Sequence, residues 1–301
     1  MIIFIIDNDN HYHLFALFKV RQSFSLDVCS ASRVKKGIDD MNATDIKGKI
    51  AFITGAAQGI GEAVARTLAG QGAHIAAVDY NPEKLEKVVN SLKAEGHHAE
   101  AFPADVRDSA AIDEITARIE REMGPIDILV NVAGVLRPGL IHSLSDEEWE
   151  ATFSVNSTGV FNASRSVSKY MMDRRSGSIV TVGSNAAGVP RTSMAAYASS
   201  KAAAVMFTKC LGLELAEYNI RCNIVSPGST ETDMQWSLWA DENGAEQVIK
   251  GSLETFKTGI PLKKLAQPSD IADAVLFLVS GQAGHITMHN LCVDGGATLG
   301  V

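Results

Sequence analysis

The sequence predicts an open α/β fold: one doubly wound domain whose parallel sheet of about seven strands is covered on both faces by helices. Three observations carry that reading. Short β-branched runs alternate with amphipathic segments of 12 to 20 residues from Lys49 onward. Most of the runs are near-continuously apolar, as strands buried on both faces must be. A glycine-rich turn stands between the first run and the helix after it, as doubly wound folds require. The expected strands are 49–54, 74–79, 98–104, 126–132, 177–183, 220–226 and 289–295. Between them, 82–96 and 109–124 place Leu, Val and Ile at three- and four-residue steps and end at Gly, the pattern of capped helices.

Composition bounds the function. With 301 residues, 46% apolar and 21% charged, the chain can bury a full core, which excludes a disordered, collagen-like or disulfide-stapled protein. The formal charge of −8 is spread without a basic tract, so neither nucleic acid nor an anionic membrane is an expected partner. Cysteines at 29, 210, 222 and 292 form no CxxC pair, and they are read as reduced packing residues of a cytoplasmic protein, with no metal site. No apolar run approaches the roughly 20 residues of a membrane helix.

Residues 1–40 read differently. The opening MIIFII lacks a basic lead and is broken by Asp7, Asn8, Asp9 and Asn10, too early for a secretory signal. The segment is expected to be a poorly ordered extension or the product of an upstream start, with Met41 an alternative start and 41–301 the folded domain.

After the first strand come Gly55, Gln58, Gly59, Ile60 and Gly61, and then an apolar-periodic helix. Glycines there permit a tight turn, close backbone approach to a pyrophosphate and close helix–sheet packing, with the helix N-terminus toward the phosphates. Asp79 closes the second strand eighteen residues beyond Gly61. An acid at that place accepts ribose hydroxyls and repels a 2′-phosphate, so NAD is expected over NADP; no Arg or Lys stands at 58, 80 or 81 to reverse it. Further along, Tyr197 and Lys201 lie four apart at the start of a long helix and share a face. A phenol titrates near 10, and an adjacent cation together with a nicotinamide cation favours the phenolate. Ser184, just past a buried strand, is placed to bond the same substrate oxygen.

The spacing T-G-x-x-x-G-I-G resembles the short-chain dehydrogenase/reductase family. Asp105 and Val106 resemble its adenine-edge contact, and Asn131-Val-Ala-Gly134 its N-N-A-G motif, with Val132 in place of the second Asn. Pro227, Thr230 and Thr232 resemble the loop that meets the nicotinamide carboxamide. Asn156 matches the family residue that interrupts a helix and holds a water. The resemblance implies hydride transfer between an alcohol carbon and the nicotinamide. Tyr197 would be the base, Lys201 would lower its pKa and bind the ribose, Ser184 would orient the hydroxyl, and Asn156 would place a relay water.

Stretches 135–139, 184–197 and 226–241 resemble the family members that oxidise a ring alcohol of a cyclohexadiene carboxylate on the way to catechol siderophores. For that carboxylate the candidates are Arg191 and Arg137. Met234, Trp236, Leu238 and Trp239 would form a lid over the ring, and a homotetramer is implied. Two rivals remain, an NADPH-dependent 3-oxoacyl-thioester reductase and a catalytically silent dinucleotide-binding scaffold. Cofactor preference separates the first, and the intact Ser184, Tyr197, Lys201 and Asn156 set opposes the second.

Overall fold

The computed structural model describes residues 45–239 and 241–300, and ahead of them Ile5–Ile6 and Tyr12–His13, which pair antiparallel. The chain divides into two units, Met1–Ala43 and Thr44–Val301. Beyond that short pair, the expectations for the first forty residues lie outside the described residues.

In the second unit β1 (Ile50–Thr54), β2 (His74–Asp79), β3 (Ala99–Pro103), β4 (Ile126–Asn131), β5 (Gly177–Val182), β6 (Ile220–Pro227) and β7 (Asn290–Val293) make one sheet. The order is β3-β2-β1-β4-β5-β6-β7, and every neighbouring pair is parallel. Each strand lies within two residues of its expected ends.

Alternation along the pleat sends side chains to two cores. Ala51, Ile53, Ile75 and Ala77 face one side, against Val64 and Leu68 of α1 (Gly59–Gly70) and Ile271, Val275 and Leu278 of α9 (Pro268–Val279). Phe52, Ala76, Val78 and Leu129 face the other, against Ile112 and Ile119 of α3 (Ser109–Glu122) and Val167 and Met171 of α5 (Gly159–Arg174). Asn81 caps α2 (Pro82–Ala94) by accepting from the Lys84 amide at 3.0 Å, and Asp108 caps α3. α9 is not among the expected elements, although Pro268 at its first position and Ile271, Val275 and Leu278 at helical steps are present in the sequence. Among the described residues no helix is long and apolar enough to cross a membrane.

The strand order reverses beside β1, where β4 pairs on its other edge. Open sheets of this kind form a crevice at that switch point, beyond the carboxyl ends of the strands.

Candidate active site

A cleft of about 1370 Å³ lies beyond the carboxyl ends of the strands. All residues expected to touch cofactor or substrate line it except two, Asn131 and Asn156.

At its nucleotide end the turn from β1 to α1 is built by glycine. Gly55 has φ +69°, and a Cβ on it would lie 2.7 Å from the Ala133 backbone; one on Gly61 would lie 1.9 Å from the Gly55 carbonyl oxygen. Gln58 occupies the N-cap of α1 without a side-chain cap bond, which leaves early amides of the helix available to an anion. Asp79 is 8% exposed; its carboxylate accepts from the Ala57 amide at 3.2 Å and the Asn81 amide at 3.0 Å. The sequence reading overlooked Lys84, one helical turn into α2. Its ammonium donates to Gln58 Oε1 at 2.5 Å and sits 4.0 Å from Asp233. Past β3, Asp105 is held by Arg107, whose Nε donates to both carboxylate oxygens, at 3.0 and 2.8 Å. That hydrogen-bonded partner lowers the Asp105 pKa.

Asn131 does not line the cleft. It is 2% exposed and its amide donates to Ser164 Oγ at 3.0 Å, which ties β4 to α5. Thr54 Oγ1 accepts from the Val132 and Ala133 amides at 3.0 and 3.2 Å, tying the end of β1 to the residues that follow β4.

The reacting end is set by α6 (Ala195–Leu215). Half-buried Tyr197 and buried Lys201 lie on its first turns, facing Ser184 at the end of β5. Burial pushes the Tyr197 phenol above its ordinary range, and a hydrogen bond with Ser184 works against that rise. Lys201 is 5% exposed, donates to the Val182 carbonyl oxygen at 2.8 Å, and is drawn down to about 8 by burial. Ser184 Oγ accepts from the Ala186 amide at 3.1 Å.

Between α4 (Asp146–Phe153) and α5 the helix widens into a π-turn, Ser154–Thr158. Such bulges commonly mark functional sites. Asn156 stands in it, fully buried behind the cleft wall. Its Oδ1 accepts from the Val135 amide at 2.8 Å, while Nδ2 donates to the Val135 carbonyl oxygen at 2.9 Å and to Ser200 Oγ at 3.0 Å. The side chain thus holds residue 135 and the first turns of α6 in place, and its hydrogen bonds run to protein groups. Ser157 Oγ adds a bond to the Ser200 carbonyl oxygen at 2.9 Å. Ser157 and Ser200 carry no motif that sequence reading could have used.

At the substrate end two loops are pinned together. Gly139 N donates to the Ser193 carbonyl oxygen at 2.9 Å, and Gly139 pairs with Met194 in a parallel bridge. Arg137 and Arg191 flank this bridge and line the cleft; no ion pair joins either to a described residue. α7 (Asp233–Trp236) carries Met234 and Trp236 on the facing side, and Trp239 Nε1 nearby is buried without a hydrogen-bond partner.

Residues 49–243 match the short chain dehydrogenase family. The chain belongs to that family. It is a dehydrogenase, and its cofactor is a nicotinamide dinucleotide, which the glycine turn and uncapped helix fit. It is 97% identical over 261 residues to the 2,3-dihydro-2,3-dihydroxybenzoate dehydrogenase of Bacillus subtilis (strain 168), covering 87% of this chain and 100% of that one. The Escherichia coli (strain K12) enzyme of the same name is 43% identical, with 85% and 99% covered. Among solved structures, the gluconate 5-dehydrogenase from Burkholderia cenocepacia J2315 in complex with NADP and tartrate superposes with TM-score 0.80 at 32% identity, covering 87% of this chain and all of that one.

Proposed function

We propose that the chain oxidises a ring alcohol of 2,3-dihydro-2,3-dihydroxybenzoate with NAD, in the synthesis of catechol siderophores. The observation that carries the reading is the meeting of Ser184, Tyr197 and Lys201 in one cleft also lined by Arg137 and Arg191, which form no ion pair with a described residue, in a chain 97% identical to an enzyme of that name.

Tyr197 takes the hydroxyl proton as the alcohol carbon gives up hydride. Ser184 bonds the same oxygen and stabilises charge developing on it. Lys201 serves the ribose hydroxyls and favours the phenolate, and the π-turn at Asn156 is the entry for a relay water. When bound, the dinucleotide supplies the hydride acceptor. Tautomerisation of the ketone to an aromatic catechol drives the oxidation. Asp79 favours NAD, because a 2′-phosphate would meet a buried negative charge already anchored by two amides. Lys84, the nearby cation, is engaged with Gln58 and Asp233. The reading extends to a cytoplasmic homotetramer: α4, α5 and α6 expose Trp149, Phe161, Met206 and Leu213, an apolar surface suited to other copies of the chain.

The test mixes the purified chain with the dihydrodiol and either dinucleotide, following NAD reduction and the fluorescent catechol. Oxidation with NAD is expected, with NADP a poor substitute, and Tyr197→Phe should lose at least about a hundredfold in turnover while still binding NADH. Equal efficiency with NADP would overturn the cofactor choice, and absence of catechol would overturn the substrate.

A further inference from the structure

Just past β7, Asp294 ties the C-terminal residues to the turn that follows Ser184. Its Oδ1 accepts from the Gly296 amide at 2.9 Å. Its Oδ2 accepts from the Thr298 amide at 3.0 Å, from Thr298 Oγ1 at 2.7 Å and from Asn185 Nδ2 at 3.2 Å. Burial disfavours the ionised carboxyl, but these hydrogen bonds outweigh it and hold Asp294 below the ordinary carboxylate range. Asn185 directly follows Ser184 and begins the short 3-10 turn Asn185–Ala187, which Ser184 caps with its own hydroxyl. The same carboxylate region presses on the nicotinamide-side loop. Gly228 N donates to the Val293 carbonyl oxygen at 2.9 Å, and a Cβ on Gly228 would lie 2.6 Å from Asp294 Cβ and 3.4 Å from Asn185 Nδ2. Three segments distant in sequence therefore meet within one hydrogen-bonded knot.

We propose that Asp294 is a positioning residue: acting through Asn185, it fixes the turn that aims the Ser184 hydroxyl at Tyr197. This rests on the role given above to Ser184. A bond from an ionised acceptor to a neutral amide is directional and stronger than a neutral pair. Asn185 begins the turn whose Ala186 amide donates to Ser184 Oγ, so a displacement at Asn185 passes to the hydroxyl. Misplacing a reacting group by about 1 Å can cost up to a hundredfold in rate without disturbing substrate binding to the same degree.

The test breaks the pair in two ways. Asn185→Asp sets two carboxylates face to face and should lower kcat about tenfold or more, with KM and the NADH dissociation constant changed far less. Asn185→Ala removes the tie without adding a charge and should lower kcat in the same direction. Thermal unfolding of each variant is measured alongside. A fall in melting temperature with kcat intact well below it, or an Asn185→Ala variant with wild-type kcat, overturns the proposal. A crystal structure of Asn185→Asp reports the Ser184 Oγ position without any substrate; an unmoved hydroxyl overturns the inference even if the dihydrodiol reading stands. A displaced hydroxyl supports it even if that substrate proves wrong.

Discussion

At Lys201 an ammonium is only 5% exposed, and burial draws its pKa from the ordinary 10.5 to about 8. That depression corresponds to roughly 3 kcal/mol against the charged form in the folded chain. The folded state binds fewer protons than the unfolded between about 8 and 10.5. Stability therefore rises with pH across that window, and the penalty is full below it. Lys201→Met removes the charge while keeping the apolar stem, at the cost of the bond to the Val182 carbonyl oxygen. Its melting temperature relative to wild type should be highest near pH 7 and decline steadily toward pH 10. Cys222, pushed up by burial, acts on the two proteins alike at high pH, while Tyr197, also pushed up, loses a nearby cation in the variant, which adds to the decline. A difference independent of pH would show that burial does not penalise the ammonium. Activity should be lost throughout, the trade that functional sites make against stability. Tyr197 and Lys201 were legible in the sequence because helical spacing puts them on one face and the family resemblance, with Ser184 and Asn156 in order, gave that face a role. Lys84 was not, since its approach to Gln58 and Asp233 depends on where α2 and α7 pack.

Among the elements, the pinned loops at the substrate end decide how a carboxylate would be held. The parallel bridge between Gly139 and Met194 leaves Arg137 and Arg191 close behind it on adjoining backbones, both lining the cleft. A guanidinium carried on a bridged loop is better oriented than one on a free loop, and a charge-assisted pair is worth roughly 1.5 to 3 kcal/mol. Arg191→Ala should mainly raise KM, with a smaller fall in kcat from poorer alignment of the reacting carbon. A ring alcohol lacking the carboxylate is the control: it should be a poor substrate for the wild type and be little worsened by the change. Equal harm to both substrates would make Arg191 structural, and a carboxylate-dependent loss confined to Arg137→Ala would move the role to Arg137. The strands were readable because burial on both faces leaves an unbroken apolar signature, Phe52 and Ile53 pointing to opposite cores with neither exposed. The π-turn was not readable from periodicity. One extra residue at Ser154–Thr158 leaves the apolar pattern of α4 and α5 nearly unchanged, and only the family resemblance pointed to Asn156.

For the whole molecule, the legible part is what local chemistry dictates, namely strand identity, the glycine turn and the acid ending β2. Ties of long sequence separation are the illegible part: Asn185 and Asp294 are 109 residues apart and Thr54 and Val132 are 78 apart, and no periodicity announces such pairs. The same division bears on the first forty residues. The Bacillus subtilis relative is covered over its whole length by 261 residues of this chain. A chain of residues 41–301 should therefore keep full turnover on the dihydrodiol, the same number of subunits in solution, and a melting temperature within about 2 °C of the full chain. A shift of that size for a domain this large corresponds to less than about 1 kcal/mol. Light scattering, thermal unfolding and the catechol assay on the two proteins side by side would decide it. A smaller assembly with activity intact would place residues 1–40 at a subunit contact, and loss of both would show that they pack into the fold itself.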